Sequence, residues 1–272
     1  MELRDFTSNF LYTTTRLYGD PDVSGRYEVG TGFFLNVPMS GDDFCACLVT
    51  NKHVIQNDTY INFVLNYADS EHKRLDEQKR CRLPLIREGS SEFDQNVFPH
   101  SDSNVDLCLI NITSIIRETL DEGRDIFYRA FDLDSIPIRR TLEKFNALEE
   151  VIMVGYPHGL WDSANNLPIM RKGITSSHIA YDHQGTENFL VDIASYHGSS
   201  GSPLLIYDDG RVHREDTPFT TQRSLLLGIQ FGVPKINDND VSVYSYSNLG
   251  YFIKSYKLFD VIVDLRRSQG IY

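Results

Sequence analysis

The stretch SYHGSSGSPLL, residues 195–205, sets Gly198, Ser199, Ser200, Gly201, Ser202 and Pro203 between two apolar runs, NFLVDIA (188–194) and LLIY (204–207). Gly, Ser and Pro are the ordinary residues of a turn, and a plain turn between two buried strands is one reading of the segment. The other is that one serine is held on a sharp bend so that its hydroxyl meets a base. The turn alone does not separate the two. The rest of the chain must supply a base, an orienting acid and an architecture that joins them.

Working outward, short strand-like runs dominate. GTGFFLNV, FCACLVTN, TYINFVLNY, VDLCLINI, EEVIMVGYP, ENFLVDIA, SPLLIYD, SLLLGIQFG and VSVYSYS are each bounded by Gly, Pro, Asn, Asp or Ser, which predicts an all-β barrel or sandwich. Helical patterns are read in SIIRETLDEGRDIFYRAF (114–131), in PIRRTLEKFNALEE (137–150) and in the closing GYFIKSYKLFDVIVDL (250–265). The segment 120–148 is the expected connection between an N-terminal half, 1–119, and a C-terminal half, 149–272. The basic cluster HKRLDEQKRCR (72–82) is diluted by acids and reads as a solvated loop or helix face.

Composition bounds the function. A chain of 272 residues, 41% hydrophobic and 12% aromatic, can bury a sizeable core. A formal net charge of −12 disfavours nucleic acid and anionic membrane and tolerates basic partners. MELRDFTSNF carries acid where a secretory leader carries base followed by apolar residues. The four cysteines, Cys45, Cys47, Cys81 and Cys108, form no dense disulfide framework. Together these features predict reduced thiols in a cytoplasmic protein. Cys45 and Cys47 share one strand face and are expected to pack; with His53 nearby they still lack a second ligand pair at zinc spacing, so no metal is expected.

TNKHVI places His53 directly after a strand, and VDLCLINI places Asp106 at the mouth of another, where a carboxylate is costly unless its hydrogen bonds are met. Alone, His53 reads as a structural or exposed histidine and Asp106 as a strand-start aspartate. Together with Ser200 they follow the order histidine, aspartate, serine of chymotrypsin-type triads. A strand, not a helix, follows Pro203, which argues against the nucleophile elbow of α/β-hydrolases.

On these residues the chain resembles a trypsin-like (chymotrypsin-fold) serine peptidase, close to bacterial intracellular and HtrA-type members. The matching pieces run in order from about Val29 to Leu265: GTGFFLN, LVTNKHVI, VDLCLI, VIMVGYPHG, RKGITSS, ENFLVDIASYHGSSGSPLL, LLLGIQFG and YSNLGYFIKS. The resemblance implies two six-stranded antiparallel β-barrels with a helical insertion and a C-terminal helix. The first barrel would carry His53 and Asp106, and the second Ser200. It implies a serine endopeptidase with Ser200 as nucleophile, His53 as general base, Asp106 as its orienting acid, and the Gly198 and Ser200 N–H groups as oxyanion hole. Ala194 would lie at the base of the pocket for the residue before the cleaved bond (P1), and Gln230, Phe231 and Gly232 would pair with the substrate backbone.

Such a pocket implies a small or apolar P1 residue; Asp192 would favour Lys or Arg if the register slipped by two. His158 and His197 read as loop residues, and Trp161 as a packing anchor. No cofactor is implied, and the partner is a protein or peptide substrate, with room for a regulatory protein; oligomeric state is left open. Departures are the absence of cysteines flanking His53 and Ser200, the lack of a PDZ-like region after the barrels, and Ser199 where digestive members carry Asp. The last implies activity without N-terminal cleavage. Alternatives are a catalytically silent interaction module and an esterase on the same site.

Overall fold

The computed structural model describes residues 6–21, 28–41, 43–90, 92–208, 223–238, 241–244 and 248–271. The N-terminal 1–5 and the 245–247 end of VSVYSYS lie outside them. The N-terminal half contains β1 (Thr14–Tyr18), β2 (Val29–Pro38), β3 (Phe44–Thr50), β4 (Tyr60–Ala68), β5 (Arg74–Pro84), β6 (Val97–Pro99), β7 (Cys108–Asn111) and β8 (Asp125–Phe127). The C-terminal half contains β9 (Glu150–Gly155), β10 (Ile169–Thr175), β11 (Asn188–Asp192), β12 (Pro203–Asp208), β13 (Arg223–Gly232), β14 (Lys235–Asp238), β15 (Val241–Tyr244) and β16 (Leu249–Lys254). Helices α1 (Lys52–Ile55), α2 (Thr113–Asp121), α3 (Arg139–Leu142) and α4 (Leu258–Ser268), with five short 3-10 helices, complete the described elements.

In the second half β10-β11-β16-β13-β12-β9 close into a six-stranded antiparallel barrel, as expected. The first half departs in detail from a six-stranded barrel. Its described strands form one sheet in the order β5-β4-β1-β2-β3-β7-β6, with β8 added on β4. The chymotrypsin-like, mostly β class stands, with α4 at the end.

The core follows from the two-residue period of a strand. Along β2 and β3, Phe33, Leu35, Val37, Cys45, Cys47 and Val49 face a core shared by the two halves. The alternate residues Phe34, Ala46 and Leu48 face the core of the first half. Cys45 and Cys47 therefore pack on one face, and all four cysteines are free, buried thiols. From the other side Leu205, Leu226, Ile229 and Ile253 enter the shared core. Helix α4 adds Leu258, Val261, Ile262 and Leu265, spaced as one face of a helix. The joint between the halves is thus a packed apolar interior, so groups at its edge are held rigidly.

Four sequence expectations are corrected. The cluster 72–82 falls largely in β5, whose mostly exposed residues pair with β4 from Tyr60↔Pro84 to Ala68↔Arg74. Charge on such a strand marks a sheet edge protected against further pairing. The helical reading of 114–131 ends at Asp121. Gly123 there takes φ +76°, a left-handed value that suits glycine, and Asp125-Ile126-Phe127 pairs with β4. The segment 120–148 is accordingly strand and turn with the four-residue α3, and the reading of 250–265 as helix gives way to β16 followed by α4.

Candidate active site

His53 and Asp106 meet through short, local geometry. β3 ends at Thr50, and Asn51, extended at φ −88° and ψ 152°, starts the single turn α1. Val54 and Ile55 are buried in the first-half core, which turns the partly exposed His53 ring outward. The Asn51 side-chain amide donates to the Asp106 carbonyl at 2.6 Å. Lys52 donates to the carbonyls of His100 and Asp102 at 3.1 and 2.9 Å, tying down the loop that leads to Asp106.

The Asp106 carboxylate then uses both oxygens on one residue. Oδ1 accepts the His53 backbone N–H at 3.0 Å, and Oδ2 lies 2.5 Å from the ring Nδ1. An ionised carboxylate only accepts, so the ring proton resides on Nδ1 and Nε2 keeps its lone pair. This is the arrangement of a general base.

The 195–205 turn is locked to the first half by Thr31, a fully buried residue of β2. The Thr31 N–H donates to the Ser200 carbonyl at 2.8 Å and its hydroxyl to the Gly198 carbonyl at 2.9 Å. Thr50, at the end of β3, donates its hydroxyl to the Thr31 carbonyl at 2.9 Å. The serine turn and the histidine turn are therefore docked on the same two strands. Ser200 Oγ itself makes no hydrogen bond among the described residues, so its link to His53 Nε2 is not closed. Such contacts commonly tighten when substrate binds.

Gly198 and Gly201 have φ of +85° and +87°. A Cβ at Gly198 would run into the Tyr156 carbonyl, and one at Gly201 into that of Thr31. Within the turn, the N–H groups of Ser199, Gly201 and Ser202 donate to Tyr196, Gln230 and Ser199 carbonyls at 2.9, 2.8 and 2.9 Å. Those of Gly198 and Ser200 donate to nothing among the described residues. The His197 carbonyl accepts the His158 N–H at 2.6 Å. Across that trans peptide the Gly198 N–H points the opposite way. Two free donors, one of them the N–H of Ser200 itself, are what a developing oxyanion requires.

Sequence reasoning assigned no role to Thr31, Thr50 or Arg171. Thr31 was visible only as the polar residue inside GTGFF. Arg171, on β10, donates through Nη1 to the Ala194 carbonyl at 2.6 Å and to Ser199 Oγ at 2.9 Å. Its Nε and Nη2 are buried without partners, and burial pushes its pKa down to about 10. Ser199, fully buried, also accepts the Tyr196 N–H at 3.2 Å. The turn is thus braced from below by an internal cation. Arg171→Met is expected to lower kcat about 10- to 100-fold, the loss of charged hydrogen bonds that hold the turn. Thermal stability should hold or rise, because an unpaired buried charge is removed; steady-state kinetics beside thermal unfolding check both.

A cleft of 480 Å³ next to Ser200 is lined by residues that include Ser195, Tyr196, Gln230, Gly232, Asn248 and Leu249. His158 and His197 also line it, His158 stacked on Tyr196 with ring centroids 4.8 Å apart. Ala194 does not line the cleft; its carbonyl is taken by Arg171. Phe231 packs against the shared core, 6.0 Å from the Tyr251 ring. Asp192 is outside the cleft too and accepts the Asn248 amide at 2.5 Å. A larger hollow of 970 Å³, between Phe44, Arg117 and Ser268, holds none of His53, Asp106 and Ser200.

The profile of the trypsin-like peptidase domain matches residues 30–213, more than half of the chain. No curated protein matches it by sequence. Among solved structures, a serine endoprotease from Yersinia pestis superposes with a TM-score of 0.50 at 15% identity, over 96% of this chain and 65% of that one. The chain therefore spans just under two thirds of that structure's length, and the likeness concerns the fold. The Rv3671c protease of M. tuberculosis in its active form gives 0.48 at 12% identity, over 94% and 82% of the two chains. The MamO protease domain of Magnetospirillum magneticum gives 0.46 at 13%, over 92% and 96%.

Proposed function

Because the chain belongs to the trypsin-like peptidase family, we propose that it is a serine endopeptidase acting through Ser200, His53 and Asp106. A serine hydroxyl is too weak an acid to attack a carbonyl unaided. His53 Nε2 removes its proton as Oγ attacks the scissile carbonyl carbon, and later delivers that proton to the leaving amine. Asp106 holds the tautomer and stabilises the imidazolium. The N–H groups of Gly198 and Ser200 stabilise the oxyanion. Water, deprotonated by His53, then releases the acyl group from Ser200. The observation that carries this reading is the pairing of both Asp106 oxygens with His53 beside a serine turn with two unused N–H donors.

The substrate is a protein or peptide whose acyl side runs along the Phe231–Gly232 end of β13, past its last pair with β12 at Ile229, an added strand in effect. Among the described residues no carboxylate, lysine or arginine lines the cleft, which suits an uncharged P1 side chain. The Arg171 brace on Ser199 supports a turn ordered without a liberated N-terminal amine, and four free buried thiols suit a reducing compartment. The test is cleavage of a denatured protein substrate. Ser200→Ala should abolish it, whereas Ser202→Ala, whose hydroxyl faces Thr31 at 3.2 Å, should retain it. Undiminished cleavage by Ser200→Ala overturns the assignment.

A further inference from the structure

Arg16 of β1 has an unusual setting. Its Cζ lies 4.0 Å from the centre of the Trp161 ring and 4.8 Å from that of Tyr18. It is half-buried, and burial lowers its pKa; the groups that oppose this are the phenols of Tyr18 and Tyr156, not carboxylates. Arg82, Arg87, Arg124 and Arg139 each have an acidic partner. The Arg16 guanidinium donates to no acceptor and forms no ion pair among the described residues. A ring contact uses the flat face of a guanidinium and leaves its in-plane N–H fork free, the geometry that grips a carboxylate with two parallel hydrogen bonds.

This cation stands close to the reacting centre. A Cβ at Gly159 would lie 3.7 Å from Arg16 Nη1, and one at Gly198 would lie 3.1 Å from the Gly159 nitrogen. With ordinary bond lengths, these contacts place Nη1 within about 12 Å of the Gly198 Cα. An extended peptide advances about 3.3 Å per residue, so two or three residues together with the reach of the carboxylate's own side chain or terminus cover that span. Arg16, Tyr18 and Trp161 are absent from the lining of the cleft assigned to the acyl side. They stand beyond Gly159, which leaves them to the leaving-group side.

We propose that Arg16, held against Trp161 and Tyr18, is a subsite for a carboxylate two or three residues beyond the cleaved bond. The carboxylate is either an Asp or Glu side chain or the C-terminus of a short product. The proposal rests on Ser200 as the nucleophile. On a surface with net charge −12, a local cation is what lets an acidic segment dock, and the fork makes the preference geometric as well as electrostatic.

The experiment uses the full chain and a quenched fluorescent peptide that it cleaves at a mapped bond. Variants of the peptide carry Glu or Gln at the second and third positions after that bond, each with a free or amidated C-terminus. Every peptide rate is divided by the same protein's rate on a p-nitrophenyl ester, which has no residues on that side. The expected result is a preference of about tenfold or more in kcat/KM for Glu over Gln, or for the free over the amidated terminus. Which of the two is seen identifies the source of the carboxylate. Arg16→Gln should remove the preference, and Arg16→Glu should favour Lys at the same position. Equal kcat/KM across all peptides in a protein that turns over the ester, or a preference that survives in Arg16→Gln, overturns the subsite alone. A protein that turns over neither ester nor peptide overturns the nucleophile assignment, and the subsite falls with it.

Discussion

Asp106→Asn is expected to lower kcat by about 10⁴-fold while leaving the fold intact. The reason lies in how the carboxylate is used. Oδ1 accepts a backbone N–H that can only donate, and Oδ2 faces Nδ1. An asparagine must turn its carbonyl oxygen to the backbone N–H, which presents its NH₂ group to the ring. Nδ1 then has to accept, the proton moves to Nε2, and the base facing Ser200 is lost. Removing the partner altogether leaves the ring unoriented, but the asparagine holds it in the wrong state. Steady-state kinetics combined with ¹⁵N shifts of the imidazole report both halves of the prediction; near-normal turnover with an Nε2-protonated ring contradicts it.

Gly198→Ala is the second large effect. At φ +85° an L residue is strained, and its Cβ meets the Tyr156 carbonyl. Neither the Tyr156 backbone at the end of β9 nor the Thr31 hydroxyl that holds the Gly198 carbonyl can yield easily, since both are buried. The peptide must rotate, and the N–H donor leaves its place. The loss expected is that of one oxyanion donor, about 10²–10³ in kcat with a smaller change in KM. A variant with unchanged kcat would show that the Gly198 N–H plays no part in catalysis.

The strands were legible where both faces are buried or where alternation is strong. GTGFFLNV and FCACLVTN are apolar on both faces because β2 and β3 separate two cores. β5 was not legible, since an edge strand covered with charge has the composition of a loop. Nor was β8, whose three residues pair with β4 where β4 runs on past its one pair with β1 at Asn62. Helix ends were overrun where aromatic and β-branched residues continued an apolar rhythm, as in Asp125-Ile126-Phe127.

At the candidate site, His53, Asp106 and Ser200 each sit just outside a strand, His53 after β3, Asp106 before β7 and Ser200 before β12, positions that local sequence marks. Thr31, Thr50 and Arg171 carry no such mark. Their role is a set of hydrogen bonds to residues far away in sequence, such as Thr31 to Gly198 and Arg171 to Ser199. Nothing within β2 or β10 announces those partners. Ser199 was noticed as a missing charge, but the cation that braces it came from a strand read only as part of a motif.

The central claim is that Ser200 is the activated nucleophile. Its most direct test is to treat the full chain with a fluorophosphonate and map the adduct by mass spectrometry of proteolytic peptides. The account predicts one adduct per chain, on Ser200, formed far more slowly in His53→Ala and absent in Ser200→Ala. An adduct on Ser199, Ser202 or a serine outside the turn, or no adduct under conditions that saturate a control serine peptidase, would contradict it.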